Sequence, residues 1–125
     1  MLPELNVCDW QKAFEYAGEE NGYWTDGSPN IRPAIPNSSI SLDIFTREDV
    51  TVIYHIEEGE NDGPNWICIG KLKDGRYFSL EAGCDYTGWD CQAGGNVAIG
   101  TTYDQIIRFG CSQDARQRFR IKLDT

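Results

Sequence analysis

The stretch "EAGCDYTGWDC", residues 81–91, gathers the residue types that do chemistry. It holds Cys84 and Cys91, Asp85 and Asp90, and Tyr86 and Trp89, spaced by Gly83 and Gly88. Zinc is the sharpest reading, with Cys68, Cys111, His55 or an aspartate completing the ligand set. Structural zinc favours two close ligand pairs, however. Six residues separate Cys84 from Cys91, and no second pair exists. A Cys84–Cys91 disulfide is a second reading. The preferred one is a packed corner with small buried thiols, since a buried cysteine behaves as a small hydrophobe.

Catalysis finds less support. A nucleophilic cysteine needs a base within hydrogen-bond reach, and His55 is the only histidine. Asp85 and Asp90 suggest a carboxylate pair, but a loop spacing fixes no distance between them. "GENDG" and "DYTGWD" lack the alternating oxygen ligands of a calcium loop. "CQAGGNVAIG" lacks the lysine and spacing of a phosphate loop. The reading therefore assigns no catalytic residue, metal or cofactor. It assigns contact residues instead. Trp24, Trp66, Tyr86 and Trp89 offer large aromatic area, which dominates binding hot spots. Asp85, Asp90, Glu57, Glu58, Glu60 and Asp62 supply charge for a partner with a basic surface.

These residues need elements to position them. Residues 6–17 have helical spacing at Val7, Trp10, Phe14 and Ala17, with Asn6 as cap and Gly18 as stop. Residues 18–41 carry NG, DG, SP, RP and IP and read as a long ordered loop, with a short strand expected at 40–44. In "FTREDV", Thr46 and Asp49 form a capping box and Phe45 and Val50 a hydrophobic staple. "VTVIYHI" then prefers strand. The conflict resolves as one helical turn followed by a strand over 51–57, with a continuous helix as the alternative.

"WICIGKL" and "YFSLEAG" are strands joined by "KDGR". Asp74-Gly75 predicts a two-residue hairpin turn. Leu72 then faces Tyr77, Ile69 faces Leu80 and Ile67 faces Ala82. That puts Ile67, Ile69, Phe78, Leu80 and Ala82 on one core face, and Trp66, Cys68, Leu72, Tyr77 and Glu81 on the other. "NVAIG" is a last strand. Thr102 and Gln105 box the start of a helix ended by Gly110, Ser112 caps a second helix, and "FRIKL" closes as a strand. The fold class is α+β. An antiparallel meander carries an N-terminal helix and two short C-terminal helices, all in one domain over 1–125.

Charge narrows the function. The chain has 125 residues and a net charge of −9. Residues 1–65 carry 13 acids and 3 bases, while 66–125 carry 7 and 8. An ordinary nucleic-acid binder needs a dominant basic surface, so direct nucleic-acid binding is not expected. The C-terminal arginines read as answering the acidic half in cis. No run of apolar residues is long enough for a membrane span. The N-terminus lacks the features of a signal peptide, and the five cysteines are odd in number and scattered. The expected setting is the reducing cytoplasm.

Through "GENDGPNW", "KLKDGRY", "AGCDYTGWDCQAGG" and "IRFG", the chain resembles a group of small accessory proteins of bacteria and their phages or mobile elements. The resemblance covers roughly residues 45–119. It implies action by occupying a host protein, such as a defence or nucleic-acid-handling enzyme. The favoured function is thus a small acidic binding or inhibitory protein. The alternatives are a ligand-binding protein or enzyme built on 81–91, and a metal-stabilised structural domain.

Overall fold

The computed structural model describes residues 31–36, 38–43, 45–57, 59, 66–85 and 92–123. For 83–85 and 92–95 it describes the backbone only. The helix expected over 6–17 lies outside these residues.

The described part is a five-stranded mixed sheet with a few short helices, an α+β arrangement. The strands are β1 (Ile31–Pro33), β2 (Val50–Glu57), β3 (Trp66–Leu72), β4 (Tyr77–Asp85) and β5 (Gln92–Gly100). Their spatial order is β1-β5-β4-β3-β2. β2 to β5 form the expected antiparallel meander. β1 adds a parallel edge beside β5, so the sheet is not purely antiparallel. The sequence reading placed Ile31–Pro33 in a loop, because Pro33 and its neighbours mask a strand this short. Residues 40–43 form no strand, which corrects the one expected at 40–44.

A 3-10 turn, Arg47–Asp49, precedes β2. The Asp49 carboxylate accepts from the Thr46 N–H at 2.9 Å. Phe45 and Val50 are both buried in one cluster, as the staple requires. The strand reading of 51–57 is the observed one.

The β3–β4 hairpin departs from the expected register. Gly75 N–H donates to Leu72 O at 3.0 Å, and Leu72 N–H to Arg76 O at 2.7 Å. Gly75 has φ +97°. Three residues, Lys73 to Gly75, thus form the loop, and its last residue needs the left-handed backbone that glycine allows. The pairs become Ile69↔Ser79, Cys68↔Leu80 and Ile67↔Glu81. A one-residue slip exchanges the faces of one strand relative to the other. Phe78, Leu80 and Ala82 join Trp66, Cys68 and Leu72 in one cluster. Ile67 and Ile69 belong to the opposite cluster.

Both faces of the sheet are buried. The first gathers Phe45, Val50, Trp66, Cys68, Leu72, Phe78, Leu80, Ala82, Val97 and Ile99. Burying a side chain of this size contributes about 1.5–3 kcal/mol. On the second face, Ile67, Ile69 and Ala98 meet Ile106, Cys111 and Ala115 from the C-terminal helices.

Helix α1 (Tyr103–Gln105) runs straight into a π-helical turn, Ile106–Gly110. Thr102 Oγ1 accepts from Gln105 N–H at 3.1 Å. The Gln105 side chain accepts from Thr101 N–H rather than from Thr102, so the box closes one residue early. Ser112 caps α2 (Gln113–Arg118), as expected. The glutamate brought onto the helix face by the shifted register completes this cap. Glu81, only 8% exposed, accepts from Ser112 Oγ at 2.7 Å and Ser112 N–H at 3.1 Å. The expected closing strand at 119–123 is absent. The chain turns at Arg120, with φ 56°, and stays irregular through residue 123.

Candidate interaction face

β2 carries two register irregularities against β3, between Val50 and Val52 and between Ile53 and His55. Each adds one residue to β2, a bulge. Inward side chains therefore recur every third residue, at Val50, Ile53 and Ile56, instead of every second. Adjacent Tyr54 and His55 both reach the helix side, where both contact Tyr103. Gly70 makes room for the distortion. A Cβ there would stand 2.5 Å from the Val52 carbonyl oxygen.

The result is a ring cluster where β2, β4 and the C-terminal helices meet. His55 Nε2 and the Tyr103 hydroxyl are 2.7 Å apart. The His55 ring stacks on Phe119 with centroids 5.0 Å apart and planes inclined by 24°. Tyr54 meets Tyr103 edge-on at 5.1 Å and lies over Tyr77 at 6.1 Å. Lys71 Nζ sits 5.2 Å from the Tyr77 centroid, in reach of a cation–π contact. Beside the cluster, Arg118 bridges Glu57 at 3.1 Å. That pair is one instance of the expected answer from the C-terminal arginines to the acidic half.

Burial sets the protonation of these groups. Desolvation lowers the His55 pKa below its ordinary value, favouring neutral imidazole at neutral pH. It raises the pKa of Tyr103, and with a hydrogen bond to Tyr77 it raises that of Tyr54, so both stay phenols. The buried thiols Cys68 and Cys111 are likewise pushed up by desolvation and are poor nucleophiles. Both are free. The described residues contain no group of three metal-ligating side chains.

Part of the helix side stays open. Val52, paired with Lys71, is 38% exposed and Tyr54 is 41% exposed. A concavity of about 260 Å³ lies by the hairpin turn between Phe45, Leu72 and Lys73. Arg76 in its wall is held by Asp74 and by the carbonyls of Ser41 and Asp43. This ties residues 41–43 to the turn.

The residues singled out by sequence do not assemble into one described site. Trp66 is 4% exposed, inside the first core cluster, and its Nε1 has no hydrogen-bond partner among the described residues. Glu57 is engaged by Arg118. Asp85 pairs with Gln92 where β4 and β5 end, so the first half of 81–91 is strand. Trp24, Tyr86, Trp89, Asp90, Glu58, Glu60 and Asp62 lie outside the described residues. The sequence reading did not single out Val52, Tyr54 or Tyr77 for contact. The three-residue spacing of Val50, Ile53 and Ile56 in a β-branched run is the signal that points to them.

No protein-family model, curated protein or solved structure matches this chain. Among the described residues no helix is long and apolar enough to cross a membrane.

Proposed function

We propose that this chain is a small acidic binding protein that occupies a partner protein bearing a basic surface. One observation carries the reading. Residues 1–65 carry 13 acids and 3 bases, whereas 66–125 carry 7 acids and 8 bases. The excess negative charge is therefore concentrated in the first half of the sequence, in 1–30 and in the run Glu57, Glu58, Glu60 and Asp62. Concentrated charge of one sign steers a complementary partner and rejects like-charged ones. Host defence and nucleic-acid-handling proteins are fitting partners, because a surface that binds nucleic acid is basic. The open Val52 and Tyr54 side chains offer apolar area for contact, and tyrosine faces accept arginine and lysine.

The test begins with capture of a partner from host extract by the full chain. The affinity of the purified pair is then measured against salt. Binding weakens steeply as the Debye length falls from about 30 Å to about 8 Å. Replacing Glu57, Glu58, Glu60 and Asp62 by their amides flattens that dependence. A salt-independent affinity contradicts the reading.

A further inference from the structure

We propose that His55 is a proton-operated clasp that fastens the C-terminal segment onto β2 and lets go on mild acidification. This goes beyond the binding reading and stands or falls without it. Four contacts join β2 to the C-terminal elements at this point: His55 to Tyr103, His55 to Phe119, Tyr54 to Tyr103, and Glu57 to Arg118. Two of the four run through one imidazole, and it is the only histidine in the chain.

An imidazolium at this position finds no carboxylate among the described residues. The charged groups on the elements packed against it are mostly cationic or already engaged. On β2, Glu57 is bound to Arg118. On β3, Lys71 is cationic, and on β4 Glu81 is bound to Ser112. On α1 and the turn after it, Asp104 is paired with Arg108 at 2.8 Å. On α2, Arg116 donates to the Ile107 and Cys111 carbonyls, and Asp114 lies 3.9 Å from Arg118. Tyr54 and Tyr103 remain neutral phenols. The stack on Phe119 favours a cation modestly, against the loss of water around a half-buried ring. Burial accordingly holds the His55 pKa down.

The sign follows from linkage. A histidine whose pKa is lower when folded protonates first in the released state. The clasp is fully closed above the free-histidine pKa of about 6.5 and loosens as pH falls from there towards the folded value.

The experiment uses the full isotope-labelled chain. The His55 ring shift and the amide protection of residues 103–118 are followed from about pH 7.5 to about pH 5. We expect His55 to titrate below its ordinary value, and protection of 103–118 to drop at least about threefold with it. His55→Gln, which can still bond Tyr103 but takes no charge, should keep its protection across the range. Titration at or above the ordinary histidine value overturns the proposal. So does constant protection in the wild type, or an equal loss in His55→Gln. The wild-type titration decides the matter alone if the variant does not fold.

Discussion

On one face of the sheet, Cys68, Leu72, Phe78, Leu80, Val97 and Ile99 pack with no polar atom among their side chains except the lone thiol. On the other, Ile67, Ile69 and Ala98 share the surface with Glu81, Ser79, His55 and Tyr103. Apart from that thiol and the Trp66 indole N–H, the first face is built of apolar side chains. The second sets Glu81 opposite Ser112 and His55 opposite Tyr103, with Ser79 as the exception, and an unmade buried hydrogen bond costs more than a made one contributes. The register of β3 and β4 serves both faces, but only the second makes it specific. Slipped by one residue, Glu81 would leave Ser112 and point into the apolar side.

The comparison can be broken most severely on the apolar face. Phe78→Ala removes a ring with no exposed surface. It should destabilise by about 3–5 kcal/mol, read by denaturant unfolding. Gly70→Ala comes next, since its Cβ would meet the Val52 carbonyl. We expect a loss of about 1–3 kcal/mol, with the Tyr54 and His55 signals shifting as the bulge is displaced. Glu81→Ala strands the Ser112 N–H and hydroxyl and should also cost about 1–3 kcal/mol. Glu81→Gln, which keeps an acceptor, should cost less. That ordering would show that the polar face depends on partners rather than on volume. Gly75→Ala forces a side chain into the left-handed region and should cost about 1–2 kcal/mol. The smallest effect reverses sign. Ser79 Oγ is buried with no hydrogen-bond partner among the described residues, so Ser79→Ala should be neutral or stabilising by about 1 kcal/mol.

Local features were legible in the sequence. The Thr46–Asp49 box, the Ser112 cap and the Asp74-Gly75 turn each depend on residues within five positions of one another. The hairpin register was not, because Asp-Gly fits a two-residue loop and also the end of a three-residue loop. What separates the two is the fit of Glu81 to Ser112, 31 residues away. The bulges of β2 were hidden for a similar reason. Their three-residue spacing imitates a helix, and the glycine that admits them lies on β3. β1 escaped notice because three residues ending in proline carry almost no strand signal. Among the contact residues, the residue type of Trp66 alone does not tell a core tryptophan from an exposed one. Strict alternation hides Tyr54, because a bulge turns it to the same side as its neighbour His55.

The most direct test of this account is the set of Hα–Hα contacts across β3 and β4, read by nuclear Overhauser effects. The account predicts close contacts for Ile69 with Ser79 and for Ile67 with Glu81. Contacts of Gly70 with Ser79 and Cys68 with Glu81 would contradict it, restoring the two-residue turn and removing Glu81 from the helix face.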